Sequence, residues 1–186
     1  MRFLDKVSRC VHSCHAPSQS PRPQTNAVVT GLTASVLLYT RSSAVAYFAA
    51  GAVVCSLTVK VVKRLVRQPR PVATIRGKRK TSYGMPSTHS ATITFYAAYI
   101  TLACLCLPIL PSLPDSLATR IVPPAVVLPW AATIAVSRTW LGHHTWPQVA
   151  AGCACGLLFS PIWFSLWTRG ANDYGRLLEQ ALFGRS

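Results

Sequence analysis

Two histidines and a set of spaced cations are the residues in this chain that can do chemistry. His89 follows Pro86, Ser87 and Thr88, and His144 stands six residues after Arg138 in the run Ser137–Gln148, SRTWLGHHTWPQ. Lys63 and Arg70 bracket a third run, KRLVRQP, that continues into Arg70 and Pro71. Lys and Arg donors clamp phosphate oxygens and gain strength where water is thin. A histidine can attack phosphorus or hand a proton to a leaving oxygen. Acids are scarce: 19 Lys and Arg stand against 4 Asp and Glu, for a net charge of +15. Asp5, Asp115, Asp173 and Glu179 are scattered. The sequence therefore encodes neither a carboxylate pair for acid–base work nor a cluster of oxygen ligands for magnesium or calcium. The expectation is a reaction run by His, Ser, Lys and Arg, with no metal and no cofactor.

Each run has its own local logic. Lys63 and Arg70 are seven apart, two helical turns, so they can share a face, and Pro69 and Pro71 then end the helix. In Gly84–Ser90, GMPSTHS, Ser87 is a natural N-cap, so His89 falls in the first turn of a helix. The backbone N–H groups of that turn form a seat for an anion. In the third run Arg138 offers a fork to phosphate. His143 and His144 are adjacent and point apart on a helix, so only one can readily be a nucleophile. Gln148 lies four after His144, on its face if a helix begins near Thr145, and Pro147 is acceptable in that first turn. The Gln148 amide oxygen can then accept from one ring nitrogen of His144 and leave the other to attack. Taken singly, each run also reads as an ordinary basic helix end, a capped helix or an interfacial His and Trp belt.

These runs need elements to hold them. Hydrophobic residues make up 51% of the 186 and charged residues 12%, which suits a multi-span membrane protein rather than a soluble domain. Five apolar stretches cover 27–39, 43–62, 87–107, 121–136 and 149–167. The second, third and fifth best meet the roughly 20 residues a span needs. The fourth carries Pro123, Pro124 and Pro129, which neighbouring helices can accommodate in a membrane. The loops 63–85 and 137–148 are separated by two spans, so they lie on the same membrane face. Residues 1–26 read as a polar flexible tail, 27–168 as the membrane domain and 169–186 as a short C-terminal tail. Cys55, Cys104, Cys106, Cys153 and Cys155 sit inside apolar runs and read as packing residues. Cys10, His12, Cys14 and His15 are too compressed for a standard zinc finger. The positive field calls for anionic partners, and the apolar composition selects membrane lipids and lipid phosphates over nucleic acid. GKRKT is not a phosphate-binding P-loop, because Val72 stands where its first Gly is required.

Together and in order, the three runs resemble the signature of the type 2 phosphatidic acid phosphatase superfamily, K-x6-RP, P-S-G-H and S-R-x5-H-x3-D. Lys63, Arg70 and Pro71 fit the first. Pro86, Ser87 and His89 fit the second, with Thr88 in place of Gly. Ser137, Arg138 and His144 fit the third, with Gln148 in place of Asp. The resemblance implies an all-α polytopic membrane bundle of about five transmembrane helices with the core shared by these phosphatases and haloperoxidases. It implies phosphate binding by Lys63, Arg70, Ser87, Thr88, Ser137 and Arg138. His89 would be the general acid and His144 the nucleophile that becomes phosphohistidine, oriented by Gln148. QPRP, YGMPSTHS and HTWPQ look like the dolichyldiphosphatase branch, where Gln occurs at the final position. That branch implies hydrolysis of dolichyl or another polyprenyl diphosphate to the monophosphate, in support of lipid-carrier recycling for N-glycosylation. Its expected place is the endoplasmic reticulum with the site facing the lumen. Counting cations instead puts 14 of 19 on the site's side if the first stretch spans, which favours the cytosol, although catalysis itself demands several of them. A broader lipid phosphate phosphatase and a non-catalytic phospholipid-binding membrane protein are the alternatives.

Overall fold

The computed structural model describes residues 25–70, 83–109 and 115–184. Pro71, the cations Arg76, Lys78, Arg79 and Lys80, and the Cys- and His-bearing N-terminal tail lie outside them. Among the described residues six α-helices follow in order: α1 Thr25–Thr40, α2 Ser43–Val66, α3 Thr88–Cys106, α4 Leu117–Trp140, α5 Trp146–Leu166 and α6 Asn172–Phe183. A π turn, Trp167–Ala171, joins the last two. Most of α1 falls in a first compact unit that ends at Tyr39, while α2 to α6 belong to a second, Thr40–Ser186. Among the described residues, α2, α3, α4 and the run Trp146–Leu182 are long and apolar enough to cross a membrane, and α1 is a shorter apolar helix. The all-α membrane bundle is as expected.

The helix ends decide where the functional residues stand. At the end of α2, Arg67 takes a left-handed conformation (φ 52°) and its N–H closes onto the Lys63 carbonyl. Lys63 is thus on the last turn and Arg70 beyond it, not two turns along one helix as the spacing suggested. α4 begins four residues before its apolar stretch and ends four after it, with all three prolines inside. Ser137 and Arg138 therefore sit on its last turn rather than in the connection. That connection is a tight turn over 141–145, in which Gly142 supplies the positive φ (63°).

α3 is the central helix and packs along α2, α4 and α5, whereas α4 and α5 touch each other little. Against α3, α5 presents Gly152, Gly156 and Ser160, each four apart. A Cβ on Gly152 would lie 2.5 Å from the Ser87 carbonyl oxygen, and one on Gly156 2.3 Å from that of Ala91. Ser160 Oγ donates to the Phe95 carbonyl at 3.1 Å. In lipid, helices gain little from hydrophobic association, so close backbone approach and such hydrogen bonds hold them together. At the other end, Tyr47 Oη donates to the Trp163 carbonyl and Trp163 Nε1 to the Tyr47 carbonyl, both at 3.1 Å, with the rings stacked 4.8 Å apart. These bonds satisfy polar groups that lipid cannot. Leu65, Val126, Leu158 and Ile162 are all more than half exposed, as expected of a surface whose solvent is hydrocarbon.

Candidate active site

The site lies where α2 and α4 end and α3 and α5 begin, and its three segments are tied to one another pairwise. The Gly84 N–H donates to the Gln68 carbonyl at 2.7 Å, and the Ser87 N–H to the Gln148 carbonyl at 2.9 Å. Arg70 Nη1 donates to the His143 carbonyl at 3.5 Å. The Arg138 carbonyl, at the end of α4, accepts from the N–H groups of both His143 and His144, at 3.0 and 3.2 Å. The turn carrying the histidines is thereby pinned to the residue expected to bind phosphate.

Gln148 is the junction. It is the third residue of α5, almost fully buried, and all four hydrogen-bonding positions of its amide are used. Nε2 donates to the Pro69 carbonyl at 3.0 Å and to Gln68 Oε1 at 3.3 Å. Oε1 accepts from the Thr145 N–H at 3.3 Å, one half of a capping box, and stands 3.2 Å from His144 Nδ1. A backbone carbonyl can only accept and a backbone N–H can only donate, so these two contacts fix which way the amide points. Oε1 faces His144 as an acceptor, so Nδ1 carries the proton and Nε2 the lone pair. Sequence reasoning placed Gln148 beside His144; it did not find the tie to Gln68 and Pro69, which an Asp, having no donors, could not make.

His144 is buried, with 4% of its surface exposed. Burial, then the positive charge of Arg70, pushes its pKa down to about 4, with Lys63 adding to the effect. The Gln148 side chain and the Gly84 carbonyl oppose this without reversing it. Burial also lowers the pKa of Arg70 from its ordinary value. At neutral pH the ring is uncharged and its lone pair available. Lys63 and Arg138 are both buried, and neither has a carboxylate partner among the described residues. A buried cation without a counter-charge is costly, and a bound phosphate would relieve that cost.

The expected site residues divide into two groups by what they touch. His89 is in the first turn of α3, half-buried, and Thr88 begins that helix. Ser87 is fully buried as the N-cap, with its N–H committed to Gln148 and its hydroxyl accepting from the Ser90 N–H at 3.4 Å and the Ser90 hydroxyl at 2.9 Å. Ser137 Oγ donates back to the Ile134 carbonyl at 2.7 Å. Ser87 and Ser137 are thus engaged in holding the scaffold. Gln68, Gly84 and Gly152 were missed. A Cβ on Gly84 would lie 2.5 Å from Gln148 Nε2, so only glycine lets that loop close over the amide. Gly152 and Gly156 form a G-x-x-x-G in an apolar helix, a signal that was present in the sequence. Trp140 and Trp146 flank the histidine turn, both well exposed, and put it at the level of the membrane interface.

Residues 41–171 match the model of the PAP2 superfamily, and the chain belongs to that superfamily. Among curated relatives, lipid phosphate phosphatase epsilon 2, chloroplastic, of Arabidopsis thaliana is 28% identical over 144 residues, 75% of this chain and 46% of the relative. Dolichyldiphosphatase 1 of Dictyostelium discoideum is 34% identical over 109 residues, 57% of this chain and 44% of the relative. Dolichyldiphosphatase 1 of Mus musculus is 31% identical over 109 residues, 56% and 44%. The chain spans about half the length of the first curated relatives it matches. No solved structure matches it significantly.

Proposed function

We propose that this protein hydrolyses a lipid phosphate or diphosphate in the membrane, through a phosphohistidine on His144 and without a metal ion. The observation that carries the reading is the Gln148 amide, whose fixed orientation puts the proton of the buried, neutral His144 on Nδ1 and the lone pair on Nε2, with the charges of Arg70 and Lys63 acting on the same ring. His144 Nε2 forms a bond to phosphorus as the bond from phosphorus to the leaving oxygen breaks. Lys63, Arg70 and Arg138, with the first turn of α3 at Thr88 and His89, stabilise the charge on the transferring group. His89 gives the leaving oxygen its proton, then takes one from the water that hydrolyses the phosphohistidine. Inorganic phosphate and the shortened lipid are the products.

Within this class the preferred substrate is dolichyl or another polyprenyl diphosphate, cleaved to the monophosphate from the lumenal face of the endoplasmic reticulum. Gln148 and the residues around it support that choice, as do the relatives named dolichyldiphosphatase. The relatives named lipid phosphate phosphatase favour phosphatidate as a second reading. Phosphate release by the protein in detergent with EDTA, on dolichyl diphosphate and phosphatidate side by side, tests both. Release from dolichyl diphosphate that disappears in His144→Ala is expected. Preference for phosphatidate moves the substrate, and release from neither overturns the reading.

A further inference from the structure

Directly beneath the site, a cavity of about 520 Å³ opens between α4 and α5 with α3 as its floor. It lies within the usual size of a small-molecule pocket. Its inner lining is of small buried residues, Ala97 on α3 and Ala131 and Ala135 on α4, and its rim of exposed apolar ones, Leu128, Leu157 and Pro161. Two threonines line it: Thr94 at the end nearer the site, and Thr101 toward the far end, whose hydroxyl is turned back onto the Ala97 carbonyl at 2.8 Å. The trough follows from the packing: α3 holds both neighbours closely, while α4 and α5 touch little.

Its position relates it to the site. Its upper end is Ala135, one turn below Arg138 on α4, with Thr94 five residues below His89 on α3 and Cys153 five below Gln148 on α5. At 1.5 Å per residue these are drops of only about 5 to 8 Å. From Thr94 to Leu102 the trough runs about 12 Å further, away from the membrane interface. A phosphate held by the cations would thus hang its first carbons over the mouth of an apolar trough that is open to lipid along one side.

We infer that this trough is the binding site for the apolar tail of the substrate, and that it makes the enzyme favour lipid phosphates whose single chain is long enough to fill it. The inference rests on the phosphatase reading given above. It explains what a cationic pocket alone does not, namely how the protein would prefer a lipid phosphate over a small soluble one. Contact along the chain is binding energy remote from phosphorus that can hold the reacting group in place.

Filling the trough tests it. In Ala131→Phe, kcat/KM for farnesyl diphosphate should fall roughly tenfold or more, the scale set by a few methylenes in an apolar pocket. Isopentenyl diphosphate, too short to reach Ala131, should be cleaved as before, and Val61→Phe on the lipid-facing side of α2 should change neither. An equal loss on both substrates, or an equal effect from Val61→Phe, overturns the inference. A second measurement needs neither turnover nor a variant that folds. A polyprenyl phosphate with a tail diazirine is photolysed on the unmodified protein in nanodiscs, beside the same probe as the free alcohol. Adducts along α3 and α4 at Ala97–Leu102 and Leu128–Ala135 should depend on the phosphate. Equal labelling by the alcohol means that ordinary bilayer lipid occupies the trough, and the inference fails. If neither diphosphate is hydrolysed, the phosphatase reading fails, and the labelling still decides the trough.

Discussion

The two ends of the bundle are built on opposite principles. At the end where α2 and α4 finish stand three partly or fully buried cations, Lys63, Arg70 and Arg138, the first two of which act on a neutral histidine. At the other end stand the described acids Asp115, Asp173 and Glu179. There the Ser43 N–H at the start of α2 donates to the Glu179 carboxylate, and Asp173 pairs with Arg176 at 2.7 Å. Gly175 lets α6 lie against Ser43 and Trp167, while Tyr174, Leu177, Leu178 and Leu182 stay exposed on its other side. Tyr47 and Trp163 satisfy each other nearby. One end gathers like charges, of which Lys63 and Arg138 have no carboxylate partner among the described residues; the other holds the described acids and the ion pair of Asp173 with Arg176. Charge placed without compensation costs stability, and such a cost is what a site pre-organised for an anion accepts.

That contrast can be broken or sharpened by measurement. The largest effect expected is from His144→Ala: turnover should fall by three or more orders of magnitude, as for loss of a nucleophile, with thermal stability held or raised. A melting temperature that collapses with activity would mean that His144 is part of the scaffold. Next, Gln148→Glu keeps the size and an oxygen for His144 but removes the donors to Pro69 and Gln68. A fall in kcat of about 100-fold, the cost of a misplaced reacting group, should appear with little change in KM. Wild-type kcat in this variant would show that the amide's donors do not position the nucleophile.

Arg70→Met sharpens the electrostatic half. With the His144 pKa near 4, the ring is neutral from pH 5 to 8, and the acid limb of kcat/KM should appear as pH falls through about 4. Removing Arg70 takes away one cause of the depression, so this acid limb should move up toward the ordinary value of 6.5, alongside a higher KM. An unmoved limb would remove Arg70 from the histidine's surroundings. Linkage gives a matching sign. The unfolded chain takes up the proton near 6.5 and the folded one only near 4, so stability should fall as pH drops between those values. The smallest effect belongs to the opposite end. Glu179→Ala should lower stability by about 1 kcal/mol through loss of a helix-end bond and leave kcat and KM as they were. A change in kcat there would mean that the two ends are coupled.

Much of the candidate site was legible because the residues proposed to carry its chemistry are rare types at fixed spacing. Lys63, Arg70, His89, Arg138 and His144 stand out in a chain with few other polar residues in its apolar core, and the Ser87 cap and the start of α5 near Thr145 were readable from helix-end rules. Spacing misled where a helix stopped early: Arg67 turns left-handed, so Lys63 and Arg70 are brought near one another by the loop rather than by a shared face. It misled again at Ser137 and Arg138, because the end of an apolar run is not the end of a helix at a membrane interface. α6 lay beyond the apolar pattern, in residues 169–186 that read as a short C-terminal tail, and Asn172–Phe183 is a helix.

The sequence by itself determined the apolar spans, the scarcity of acids and the order of the three motifs, since hydrophobicity, charge and helix caps act over a few neighbouring residues. Only the tertiary structure decided that Gln68, Pro69, Gly84 and Ser87 all meet at Gln148, and that α4 and α5 part below it to leave a trough. Those facts depend on contacts between residues as many as 80 positions apart, and on how closely Gly152 and Gly156 let two backbones approach. Local preference cannot fix distances of that kind; close packing of whole helices does.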